Sequence, residues 1–126
     1  MLALDYGTAR CGCAISDPSG TLVRPLAAVE PPDPRAIAEL VAAEDVERVV
    51  VGLPTTLSGQ EGEQARVSRE FAGELSRLLE VPVETYDERL TTRMAERSAR
   101  EGARADRDSL AAAHLLESYL MRDADG

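Results

Sequence analysis

The chain has 126 residues, with 23 acidic side chains set against 14 arginines, no lysine and one histidine, for a net charge of −9. That balance excludes nucleic-acid binding through overall charge, and no run of 18 apolar residues offers a membrane span. With 44% hydrophobic and 29% charged residues, one domain spanning 1–126, large enough for its own core, is expected in the cytoplasm.

In chain order, "LALD" at 2–5 and "CGCAIS" at 11–16 are short apolar runs separated by "YGTAR". A strong turn signal, "DPSG" at 17–20, precedes "TLVRPL" at 21–26, which predicts three consecutive antiparallel strands. Cys11 and Cys13 stand two apart, too close for an ordinary disulfide, and are expected as small buried residues on one strand face. Together with one histidine they are too few to build a zinc site.

"EPPDPR" at 30–35 is a rigid connection, and Asp33 or Pro34 can start a helix carrying Ile37, Leu40 and Val41. The uninterrupted run Val49–Val51 predicts a strand buried on both faces. A polar, glycine-bearing loop, "TTLSGQEGEQ" at 55–64, is the expected mobile segment. It leads into an amphipathic helix with Ala65, Val67, Phe71, Leu75, Leu78 and Leu79 at three- and four-residue steps. "VPVETYDERL" predicts a last strand ending near Asp87, followed by helices at about 91–101 and 108–121 parted by Gly102. This order implies an α/β fold with a mixed five-stranded sheet, a three-strand meander plus two parallel strands, flanked by helices.

In such sheets ligands collect beyond the carboxyl ends of the parallel strands. Asp5 closes the first strand, and the Asp87–Glu88 pair closes the last. Neighbouring strand residues point to opposite faces, so one of that pair is expected to share a space with Asp5. Asp108 opens the final helix at offsets of 4, 7, 8, 11 and 12 from Ala112, Leu115, Leu116, Tyr119 and Leu120, which places it on the buried stripe. It can also serve as an N-cap.

Three converging carboxylates repel one another unless a cation neutralises them. Oxygen donors without histidine or thiolate suit Mg²⁺ or Mn²⁺, and such ions can promote in-line phosphodiester hydrolysis. Gly7 permits a sharp turn beside Asp5. His114, alone on an alanine-rich helix, is expected to serve packing or to be partly exposed.

Charge is distributed unevenly. Residues 1–63 hold four arginines and ten acids, whereas 89–107 hold six arginines and three acids. Arg93, Arg97, Arg100 and Arg104 stand 4, 3 and 4 apart, a stripe on one helical face that fits a phosphate chain or a solvated surface. Thr91 and Thr92 can cap that helix, whose first amides can also bind phosphate.

Taken together and in this order, "LDYGTARCGCAISD", "VVVGLPTTLSGQEGEQA", "DERLTT" and "DSLAAAHLLESYL" resemble the YqgF/RuvX family over residues 2 to about 120. The resemblance implies an RNase H-like fold and a Mg²⁺- or Mn²⁺-dependent nuclease that trims the 5′ end of precursor 16S ribosomal RNA. It carries over Asp5, Asp87, Glu88 and Asp108 as catalytic residues, with Asp5, Glu88 and Asp108 facing the metal. The expected substrate contacts are Arg10, Arg89, Thr91, Thr92, Arg93, Arg97 and Arg100.

Ala9 stands where the family usually has a basic residue, and Ser58 where an acid is frequent. Three alternatives remain. The first is resolution of four-way DNA junctions, where cutting both strands needs the two sites of a homodimer, whereas an RNA trimmer can act as a monomer. The second is non-catalytic RNA or protein binding on the same fold, with a ribosomal or transcription partner. The third is a nucleotide-binding module, since "LDYGT" also resembles the phosphate hairpin of actin-like ATPases. No membrane partner is expected.

Overall fold

Among the described residues, five strands and three helices follow from the alternation of short apolar runs with helical stripes. A computed structural model describes residues 1–7, 9–53, 62–87 and 107–125, with 87, 107–109 and 122–125 as backbone alone. The elements are β1 (Leu2–Tyr6), β2 (Cys11–Ser16), β3 (Val23–Val29), α1 (Pro34–Ala43), β4 (Val49–Leu53), α2 (Glu63–Leu78), β5 (Val83–Asp87) and α3 (Arg107–Asp125). The strands form one sheet in the order β3-β2-β1-β4-β5. β1 pairs antiparallel with β2, and β2 with β3. β1–β4 and β4–β5 are parallel.

Strand parity divides the core into two layers. Leu2, Leu4, Cys11, Cys13, Ile15, Val49 and Val51 pack with Ile37 and Val41 of α1 and with Phe71, Ala72 and Leu75 of α2. Ala3, Val50 and Tyr86 face Leu115, Leu116 and Tyr119 of α3, and Ala14 meets Ala112 and Ala113. All of β4 is buried, as its apolar run requires of a strand covered on both faces. Each fully buried Leu or Val contributes roughly 1.5–3 kcal/mol. Both cysteines are free and buried.

Local signals set several boundaries. In the β2–β3 turn Gly20 adopts φ 72°, a backbone region that disfavours other residues. Asp17 holds this turn, its Oδ1 accepting from the Thr21 and Leu22 amides at 2.8 and 3.2 Å. Asp33 caps α1 through the Arg35 amide at 3.0 Å, with Pro34 in the first turn.

β3 runs to Val29, three residues past the predicted strand, and includes Pro25. An edge strand tolerates proline, and the extension pairs Cys11 with Val29 across a bulge. In α2 the buried stripe is Ala65, Ser68, Phe71, Ala72 and Leu75, while Leu78 is 48% exposed. Glu63 and Gln64, expected in the preceding loop, form the first turn of α2. The rest of that loop (54–61) and the predicted helix at 91–101 lie outside the described residues. Among the described residues no helix is long and apolar enough to cross a membrane.

Candidate active site

β1, β4 and β5 are mutually parallel, so their carboxyl ends share one edge of the sheet. Asp5 stands at that edge. By alternation it shares the face of Ala3, the face covered by α3. Its neighbours in the sheet carry no side chains. Across β2 its partner is Gly12, and in β4 the residue beyond the Leu4–Val51 pair is Gly52. Both glycines are buried. Sequence pattern alone does not single them out, although an isolated glycine inside a strand signals a close approach to the backbone.

Tyr6, one residue on, points to the other layer. Its ring lies 4.5 Å from that of Phe71, and its carbonyl accepts from Gln64 Nε2 at 3.4 Å, which fixes the end of β1 against α2. The chain then turns back. The Gly7 amide donates to the Arg10 carbonyl at 2.9 Å, and a Cβ at position 7 would sit 2.8 Å from that oxygen, so the turn requires glycine. Arg10 Nε pairs with Glu30 Oε1 at 3.3 Å, both side chains being about half exposed. Arg10 therefore lies at the site's edge of the sheet, between β2 and β3.

The direction of α3 is fixed by its contacts. Leu120 lies at the β2–β3 turn, 3.6 Å from where a Gly20 Cβ would stand, whereas Ala112 and Ala113 pack on Ala14 of β2. Residue numbers in α3 thus fall toward the carboxyl end of β1. From Ala112 to Asp108 the helix rises about 6 Å, and from Ala14 to Gly12 the strand advances about 6.6 Å. Backbone position 108, the second residue of α3, thereby draws level with Gly12, the partner of Asp5.

Asp87 is the last residue of β5 and pairs with Leu53. Glu88, Arg89, Thr91, Thr92, Arg93, Arg97 and Arg100 lie outside the described residues. Among the described residues no three His, Cys, Asp or Glu side chains cluster to hold a metal ion. Of the expected ligands, Asp5 is the one whose side chain is described.

The other half of α3 is tied to the sheet by polar contacts. The Tyr119 hydroxyl donates to the Glu84 carboxylate and accepts from Arg48 Nη1 at 3.3 Å. Burial first, and then the bond to Glu84, push this phenol above its ordinary pKa, which keeps it protonated and donating. Tyr86 Oη and Ser118 Oγ lie 3.0 Å apart. The Tyr86 and Tyr119 rings meet edge to face with centroids 5.6 Å apart. His114 is largely buried beside Glu117 at 3.7 Å, a packing position as expected.

Known proteins share this architecture. Thermus thermophilus RuvC in complex with a Holliday junction substrate superposes with a TM-score of 0.69 at 13% identity, covering 100% of this chain and 97% of that one. Fowlpox virus Holliday junction resolvase gives a TM-score of 0.54 at 11% identity, with 97% and 99% coverage. A mixed sheet with a first-strand aspartate at its carboxyl edge and a helix over that face is the RNase H-like fold that this chain shares with these resolvases. The family model "RuvX: Holliday junction resolvase" matches residues 1–122, and the chain belongs to that family.

A Chloroflexus aurantiacus protein named "Putative pre-16S rRNA nuclease" is 44% identical over 95% of this chain and 85% of its own length. One of the same name from Desulforudis audaxviator is 43% identical over 100% of this chain and 96% of its own.

Proposed function

We propose that this chain is a cytoplasmic nuclease that matures the 5′ end of precursor 16S ribosomal RNA, using Asp5, Glu88 and Asp108 to hold Mg²⁺ or Mn²⁺. The observation that carries the site is the antiparallel run of α3 against β1, which draws backbone position 108 level with the partner of Asp5. The substrate rests on the names of relatives at 43–44% identity.

Parity favours Glu88 over Asp87. Tyr86 packs against α3, and the Glu84 carboxylate accepts from Tyr119 on that helix. Position 88 continues the same even-numbered series in the sequence. Asp87 then flanks the site from the neighbouring parity.

The donor set suits a hard divalent cation, since it consists of carboxylate oxygens with no thiolate or imidazole. Such an ion, when bound, activates water and stabilises the leaving oxygen of an in-line displacement. The protein's part is to hold the carboxylates in place and to admit the RNA. Gly12 and Gly52 keep strand side chains away from Asp5. Arg10, Arg89, Arg93, Arg97 and Arg100 offer bidentate phosphate contacts, and Thr91 and Thr92 offer hydroxyl donors.

The family's description favours a second reading, cleavage of four-way DNA junctions. The test incubates wild type and Asp108→Asn with Mn²⁺, a 5′-extended 16S precursor fragment and a four-way DNA junction at one ionic strength. Cleavage of the RNA by wild type and its loss in Asp108→Asn is the expected result. Faster cutting of the junction supports the second reading. An Asp108→Asn protein that cuts normally rejects the site.

A further inference from the structure

Among the described side chains, the half of α3 nearest the site meets the sheet through methyl groups. Ala112 and Ala113 lie on Ala14, and Leu115 and Leu116 cover Ala3 and Val50. Apolar burial holds the helix down, but it is non-directional and resists sliding or rotation weakly. A slip of a single helix residue moves position 108 by about 1.5 Å and turns it by about 100°. Misplacement of about 1 Å can lower a rate about 10²-fold. The register of α3 must therefore be set by directional contacts.

Those contacts lie about three helical turns from Asp108. Tyr119 bonds both Glu84 of β5 and Arg48 just ahead of β4, and Ser118 bonds Tyr86 of β5. Two successive helix residues thus engage the far parallel strand, while Ala112 and Ala113 engage β2 on the other side of β1. Hydrogen bonds from two successive helix residues to Glu84 and Tyr86 of β5, with a third from Arg48 ahead of β4, fix both rotation and axial position.

We propose that Tyr119 and Ser118, through Glu84 and Tyr86, are positioning residues of the nuclease site, pinning α3 in the register that brings backbone position 108 level with Gly12, the strand partner of Asp5. This inference rests on the reading that Asp108 is a ligand. The polar contacts act through the helix and touch neither substrate nor metal.

The test compares wild type, the double variant Ser118→Ala/Tyr119→Phe, Asp108→Asn and a stability control, Ile37→Val, which trims the buried α1 side of the opposite layer. For each, far-UV circular dichroism checks the fold, calorimetry measures Mn²⁺ affinity without substrate, and cleavage of the precursor RNA gives kcat and KM well below the melting temperature.

Expected for the double variant are a retained fold, Mn²⁺ affinity lowered severalfold, kcat lowered about tenfold and KM within twofold of wild type. Ile37→Val loses melting temperature with kcat and Mn²⁺ affinity unchanged. Wild-type kcat and Mn²⁺ affinity in the double variant, alongside an inactive Asp108→Asn, overturn the positioning role and leave the site intact. An active Asp108→Asn overturns the site itself. If the double variant does not fold, single Tyr119→Phe carries the same comparison, and Ser118→Thr, which keeps the hydroxyl, is expected to retain wild-type kcat.

Discussion

Asp5 faces Gly12 across the β1–β2 ladder. Directly opposed residues in an antiparallel pair project to the same face, so a side chain at position 12 would stand within about 5.5 Å of that of Asp5. Glycine weakens a strand and is retained where backbone must be approached closely. Gly12→Val places a branched side chain against the carboxylate while keeping a residue that strands accept. Its expected effect is a loss of RNA cleavage of about 10²-fold, as for a comparable misplacement of reacting groups, with the circular dichroism spectrum retained. Full activity in Gly12→Val would show that the bare flank of Asp5 is immaterial.

Ser68 makes a separate prediction about stability. Its hydroxyl is fully buried on α2 and has no hydrogen-bond partner among the described residues. A buried hydroxyl left without a partner costs about 1–3 kcal/mol, and alanine is the better helix former. Ser68→Ala should therefore raise unfolding free energy by about 1 kcal/mol, measured in urea with an unchanged slope. A destabilised variant would reveal a partner for the hydroxyl in solution.

Much of this architecture was legible because its signals are local. The Val49–Val51 run marked the doubly covered strand, "DPSG" the β2–β3 turn, and Asp33–Pro34 the start of α1. The rest depends on tertiary context. β3 continues past Leu26 to Val29 because β2 pairs with it across a bulge, which two alanines do not advertise. Ser68 lies inside and Leu78 outside because the angle at which α2 meets the sheet, and not hydropathy, selects its buried face. At the carboxyl edge of the sheet, the end of an apolar run marks Asp5, and the stripe of Ala112, Leu115 and Leu116, all buried, marks position 108 as an expectation. Gly12 and Gly52 were missed because a residue without a side chain is noticed only when its neighbour across the sheet is known.

The β2–β3 turn has a pH signature. Asp17 is held below the ordinary aspartate pKa, first by the Thr21 amide and then by the Leu22 amide, the Ser19 hydroxyl and the Gly20 amide. A carboxylate depressed in the folded state stabilises it above the unfolded pKa, and that contribution is lost as pH falls through the folded value. Asp17→Ala should thus lower the melting temperature at neutral pH, and the gap from wild type should close as the solution is acidified below the carboxylate range. A gap of constant size down to acid pH would mean that the carboxylate's charge contributes nothing to the turn.

A net charge of −9 opposes contact with any polyanion. Long-range repulsion must be overcome locally, and the sequence concentrates six arginines within 89–107. Each arginine that neutralises a phosphate releases condensed counterions. On single-stranded nucleic acid this steepens the dependence of log K on log salt by about 0.7 per contact. Replacing Arg97 and Arg100 together by alanine should weaken RNA binding and flatten that slope by about 1.4, measured by fluorescence anisotropy across a salt series with Ca²⁺ to suppress cleavage. An unchanged slope, even with weaker binding, would assign these arginines to a solvated helix face. The phosphate contacts would then fall to Arg10, Arg89 and Arg93.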